Sequence, residues 1–113
     1  MSHFAFIKER LNNFQVIDRL LAARQWQRSE PQRYTNPHSK EVQDNVRVIT
    51  DQKGKVKLGI QDAKLIVDPW YMGDDYKSFL RDYRIGIVQY AVGVDHCTVE
   101  IIDEENAIVR AIN

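Results

Sequence analysis

Cysteine occurs only once, at Cys97, which excludes an internal disulfide framework and a four-cysteine zinc site within one copy of the chain. Proline and glycine are sparse as well, three and five in 113 residues, so collagen-like and low-complexity architectures are excluded. Neither sign of charge dominates: sixteen Lys and Arg balance sixteen Asp and Glu. The globally basic surface that advertises nucleic acid or an acidic membrane is therefore missing. Long apolar runs are missing too. Gly86 to Val94 contains Gln89 and falls far short of the roughly 20 residues a membrane-spanning helix needs. At the N-terminus, Lys8, Glu9 and Arg10 interrupt the chain before the apolar core of a secretion signal could form. These absences predict a soluble protein of the cytoplasm, or of an organelle of similar redox state.

What remains is 43% hydrophobic and 28% charged, a composition and length suited to a single domain over residues 1–113. The balanced charge hides a polarity. Residues 1–57 carry eleven basic against six acidic side chains, and residues 58–113 carry five against ten. Such polarity can orient a partner or a second copy, or can simply mix on one folded surface.

Phe4, Phe6, Ile7 and Leu11 predict a strand near the start, with a backward extension of the following helix as the competing reading. Asn12 fits an N-cap, with Gln15 three residues on, and Phe14, Ile17, Leu20 and Leu21 then repeat at helical spacing toward Trp26. Gln27 to Asn45 is polar, contains Pro31 and Pro37, and reads as a loop or an irregular edge strand around Tyr34. Val46 to Thr50, the turn Asp51-Gln52-Lys53-Gly54 and Val56 to Ile60 form the clearest hairpin. Ala63 to Val67 reads as a further strand, closed by Asp68-Pro69. Asp74 or Asp75 then caps a second helix whose stripe is Tyr76, Phe79, Leu80, Tyr83, Ile87, Tyr90 and Ala91, with Gly86 marking a close crossing. His96 to Ile102 and Ala107 to Ile112 read as two strands around the acidic turn Asp103-Glu104-Glu105-Asn106. The order β-α-β-β-β-α-β-β predicts an α+β fold, an antiparallel sheet with two helices packed on one face and the other face either partly exposed or covered by a partner.

Met1-Ser2-His3-Phe4 with Ile7-Lys8, then Leu20-Leu21, Trp70, Phe79-Leu80 and Gln89-Tyr90-Ala91, together resemble the uncharacterised family known as hypothetical chloroplast open reading frame thirty-five, or domain of unknown function twelve fifty-seven. Its Gln-Arg-Tyr-Ala segment differs around Val88 and Gln89, and the middle of the chain matches only in rhythm. The resemblance implies a small protein of cyanobacterial, plastid or other bacterial type, with no established activity. It also implies an AAA-type ATPase as a possible partner, because such a gene sometimes lies near members of the family. A phage source fits the same residues.

Chemistry-bearing motifs are few. No glycine-rich phosphate loop, nucleophile elbow or paired-histidine zinc motif occurs. His96 and Cys97 are adjacent on a strand and point to opposite faces, so Cys97 reads as a small buried strand residue rather than a ligand or nucleophile. Asp74 and Asp75 are explained by capping. No catalytic residues, cofactor or metal are expected. The basic half offers Arg24, Arg28, Arg33, Lys40 and Arg47, interleaved with Trp26 and Tyr34, as a strip for RNA or single-stranded DNA. The other concentration of interest is Trp70, Tyr71, Met72 and Tyr76 between Pro69 and the second helix. Interfaces enrich these side chains, although Trp70 fits the core better than the surface, and Tyr71 and Met72 fit either place equally. The leading expectation is a non-catalytic accessory or adaptor domain that binds a protein partner or a second copy through these residues. Nucleic-acid binding is the alternative.

Overall fold

The Asn13 side chain, not that of Asn12, accepts a hydrogen bond from the Val16 amide at 3.1 Å and so starts the first helix, α1 (Phe14–Arg24). Of two neighbouring asparagines the second sits where the chain turns helical. The computed structural model describes residues 2–112, so Met1 of the opening motif lies outside them. Gln25 ends α1 in the left-handed region at φ 59°, and the Trp26 amide closes back on the Leu21 carbonyl at 2.9 Å.

A short strand, β1 (Ala5–Ile7), precedes α1. It is followed by β2 (Gln27–Arg28), β3 (Gln32–Thr35), β4 (Val42–Thr50), β5 (Val56–Gln61) and β6 (Lys64–Val67). All pair antiparallel in the order β1-β6-β5-β4-β2, with β3 alongside the first half of β4. The polar segment after α1 thus holds two strands, the one around Tyr34 in the irregular edge-strand form that is one of its two readings. Its pairing with β4 shifts register between Gln32 and Tyr34, which is why no clean alternation marks it in the sequence.

Cross-strand pairing sorts the sheet into two faces. Ile49, Leu58, Ile60 and Leu65 lie on the side of α1, where the Arg47 guanidinium sits 4.9 Å from the Phe14 ring centre. Val46, Val48, Gly59 and Ile66 lie on the other side, beneath Phe4, Tyr34 and Met72. The second face is therefore closed in large part by the chain itself. Gly59 makes room there, since a Cβ at that position would stand 2.8 Å from Val46 Cγ1.

After β6 comes a one-turn helix, α2 (Pro69–Met72), where the sequence suggested a loop, and then α3 (Asp75–Val92). Asp74 occupies the N-cap of α3 but its side chain makes no capping bond. Asp75 instead receives the Lys57 ammonium at 2.9 Å. Phe79, Leu80 and Tyr83 are buried against the sheet and α1, and Phe79 stacks on Trp26 at 6.2 Å. The close crossing at Gly86 is made with α1: a Cβ there would stand 2.5 Å from Val16 Cγ1. Tyr90, assigned to the buried stripe from its spacing, is exposed, because α3 has run beyond the sheet by that point.

A 3-10 turn (Val94–His96) leads into β7 (Cys97–Ile101) and β8 (Ala107–Ala111). These pair with each other alone and form a separate two-stranded ribbon, not a continuation of the main sheet. The ribbon lies on α3, its acidic turn tied down by Arg81 to the Asp103 carbonyl at 3.0 Å and by Lys77 to Glu105 at 3.3 Å. Cys97 is half-buried rather than buried. The fold class is α+β, antiparallel, and the long axis of about 50 Å against 26 Å across reflects the ribbon's position beyond the main core.

Candidate partner-binding site

Asp68 and Asn36 are the two buried polar residues among those described, and they organise the surface above the second face of the sheet. Each precedes a proline, which bars the helical conformation and leaves the Asx side chain free to gather backbone amides ahead of it. Asn36 Oδ1 accepts from the amides of His38 at 2.9 Å and Ser39 at 3.2 Å, shaping the turn into β4. Asp68 Oδ1 accepts from the Trp70 amide at 3.1 Å, and Pro69 fills the first helical position of α2. The two turns are then joined, Asn36 Nδ2 donating to Asp68 Oδ2 at 2.8 Å while the Ser2 hydroxyl donates to the same oxygen. Glu41 adds the N-terminal strand by accepting from the Phe4 amide at 3.0 Å and the Ser39 hydroxyl at 3.1 Å.

Burial alone pushes the Asp68 carboxyl upward. The hydrogen bonds from Ser2, Asn36 and the Trp70 amide outweigh it, with His3 nearby, and hold its pKa below the ordinary aspartate value. The carboxylate is thus charged and fully engaged in structure.

The network fixes an aromatic group. The His38 ring stands edge-on to Trp70 and tilted to Tyr71, both at 5.0 Å, and the Tyr71 and Tyr34 hydroxyls share a hydrogen bond of 2.6 Å. Burial first, and the bond to Tyr34 second, push the Tyr71 phenol up, so it stays neutral. Within α2 the order of exposure is the reverse of the expected one. Trp70, suited to the core by its size, is 64% exposed, while Met72 is 2% exposed and packs under the loop with its sulfur 3.3 Å from the Asp68 amide. A helix of one turn with Asp68 as its cap must turn one of the three large side chains inward, and the chain uses the flexible thioether to fill the gap. Tyr76 is half-buried against the core. Of the four candidate residues, Trp70 is therefore exposed, Tyr71 and Tyr76 each keep part of their surface, and Met72 has none to offer.

Four of the five basic candidates stand beside carboxylates, and Arg28 and Arg47 each lie 4.9 Å from the centre of the Phe14 ring. Arg24 pairs with Asp82, Arg28 with Asp18 and Arg33 with Asp44, each at 2.7 Å, and Arg47 approaches Glu30 at 3.7 Å. Lys40 turns back to the Pro37 carbonyl at 3.0 Å. The two aromatic platforms are also occupied, Trp26 by Phe79 and Tyr34 by Phe4 and Tyr71. Among the described residues no group of three or more His, Cys, Asp or Glu stands close enough to share a metal ion, and no helix is long and apolar enough to cross a membrane.

In the sequence Ser2 stands out only within the opening motif and Asp68 only as the end of a strand, and nothing marks Asn36, His38 or Glu41 as belonging to a site. The signal that would have found two of them is the repeated Asx-Pro pair, Asn36-Pro37 and Asp68-Pro69. No known protein family, curated protein or solved structure matches this chain, so the resemblance to the chloroplast open reading frame family is carried by the quoted residues alone.

Proposed function

We propose that this protein is a small non-catalytic adaptor that binds a protein partner through the surface formed by Trp70, His38 and Tyr71. The observation that carries the reading is a tryptophan 64% exposed on a turn held by a buried hydrogen-bond network. Exposing a large aromatic ring costs the free protein hydrophobic stabilisation, and fixing it in advance lowers the entropy lost when a partner covers it. Exposed, pre-positioned Trp and Tyr beside polar groups are the composition of binding hot spots. An AAA-type ATPase is the partner implied by the resemblance. A nucleic-acid role gains little from the arrangement, because phosphate affinity depends on cations free to displace counterions, and four of the five candidate cations face carboxylates.

The test is affinity capture from the native host with the wild-type chain and with Trp70→Ala, read by mass spectrometry. A protein retained by the first and lost with the second, while both variants melt at similar temperatures, supports the reading. A partner retained equally by both would sink it. So would tight, salt-sensitive binding of random oligonucleotides in place of a protein.

A further inference from the structure

The β7–β8 ribbon is an unfinished layer. Residues opposite each other in the pairing share a face, so Cys97, Val99 and Ile101 line up with Ala111, Val109 and Ala107 on one apolar side, and Thr98, Glu100, Ile108 and Arg110 occupy the other. The apolar side rests on α3 through β8, where Ala107 and Val109 meet Ile85. It overhangs at β7: Val99 is 39% and Ile101 52% exposed. Along the outer edge of β7 no described strand pairs, so its amides and carbonyls stand open beside that apolar overhang. Two-stranded ribbons are marginal alone, and open apolar edges invite a further strand.

We propose that the occupant is β7 of a second copy, paired antiparallel about a twofold axis through Val99. The sequence of β7 is complementary to itself in that register. Val99 faces Val99, Cys97 faces Ile101, and Glu100 faces Thr98, which can donate to it. Sliding by two residues in one direction sets Glu100 against Glu100, and in the other leaves Ile101 without an apolar counterpart. A slip that pairs odd with even positions mixes the two faces. The centred register alone pairs all five residues, keeps every apolar side chain of β7 on one side and avoids like charges. It converts two ribbons into one four-stranded sheet in the order β8-β7-β7-β8, with an α3 helix from each copy on the same face. Val99 and Ile101 of both copies then lie between the helices, and the twofold closes the assembly at a dimer.

Sedimentation equilibrium of the full chain over micromolar to near-millimolar concentration reads the prediction directly: the wild type sediments as a dimer. Val99→Lys puts two ammonium groups face to face at the axis and weakens dimerisation about thirtyfold or more, with an unchanged far-ultraviolet circular dichroism spectrum. A second variant, Cys97→Ser with Thr98→Cys and Glu100→Cys, cross-links into a disulfide dimer under mild oxidation: Val99 turns its own amide and carbonyl to the outer edge, which leaves positions 98 and 100 as the closer, non-hydrogen-bonded pair across the axis, the one that suits a disulfide. This variant decides the matter even if Val99→Lys fails to fold. A wild type monomeric throughout, Val99→Lys dimerising as tightly as wild type, or failure of the cross-link in the folded protein overturns the proposal. Trp70→Ala leaves the dimer intact; its loss would place the contact at the Trp70 surface and overturn the β7 assignment.

Discussion

Asn36 donates its side-chain amide to the Asp68 carboxylate at 2.8 Å, and neither side chain reaches solvent. This one bond joins the turn before β4 to the turn after β6, which are 32 residues apart in sequence. Removing either partner leaves the other buried with unmet hydrogen bonds. Asn36→Ala or Asp68→Ala should lower stability by about 1.5–3 kcal/mol, the range for bonds to a charged group, measured by urea unfolding at neutral pH.

The same carboxylate gives the protein an acid limb. Its folded-state pKa lies below the ordinary aspartate value, so the folded state binds the proton less readily than the unfolded chain. The stabilisation is complete above the unfolded pKa of about 4 and is lost as pH falls toward and through the lowered folded value. The unfolding free energy of the wild type should therefore fall more steeply below about pH 4 than that of Asp68→Asn. Parallel curves would show that Asp68 is not a source of the acid sensitivity.

Gly86 faces Val16 across the α1–α3 crossing with no room for a methyl group. Alanine would gain about 1 kcal/mol of helix propensity, but it must displace a β-branched side chain with few rotamers. Overpacking of this kind typically costs about 1–3 kcal/mol. Gly86→Ala is expected to lower the melting temperature, and adding Val16→Ala should recover part of the loss. Simple additivity in that double-mutant cycle would place the strain elsewhere.

Asp62 and Ala63 form the two-residue turn between β5 and β6, both at positive φ, 48° and 65°. Alanine in that region is strained where glycine is not. Ala63→Gly should raise stability by about 0.5–1 kcal/mol despite the greater freedom of glycine in the unfolded chain. Lower stability would contradict the left-handed geometry of the turn.

The elements with enough length to show a period were readable before folding: α1, the β4–β5 hairpin, α3 and the β7–β8 pair. What escaped has identifiable physical reasons. β2 is two polar residues long and carries no alternation, while β3, whose segment reads as a loop or an irregular edge strand around Tyr34, is left undecided between the two because most of its side chains face water. Ala63 sits in a turn because pairing Gln61 with Lys64 demands one, a long-range requirement that local propensity does not express. The separation of the ribbon from the main sheet depends on how far α3 runs before Gly93, and Tyr90 became surface for the same reason. Trp70 and Tyr71 were legible as candidates, since aromatics in a Pro/Gly-bounded segment stand out by composition. Which side chain of Trp70, Tyr71 and Met72 turns inward was not, because α2 is one turn long and a single turn has no period.

That inward choice sets two near neighbours in sharp contrast. Met72 is 2% exposed and is enclosed by Phe4, Val46, Ile66 and their neighbours, whereas Trp70, two residues away, is 64% exposed. Truncating Met72 should open a cavity and cost about 2–5 kcal/mol. Truncating Trp70 removes little besides its edge contact with His38, of the order of 0.5–1.5 kcal/mol at most. Thermal unfolding of Met72→Ala and Trp70→Ala, side by side, should therefore give a large drop for the smaller side chain and a small one for the larger. The double change Tyr71→Ala with Met72→Ala should fall with the Met72 single variant or below it, because Tyr71 also loses its bond to Tyr34. A binding defect in that double variant could then be read only as a folding defect, which makes Trp70→Ala the variant that isolates the surface. If Trp70→Ala destabilises the chain as much as Met72→Ala, the indole is part of the core and the proposed partner surface has no anchor.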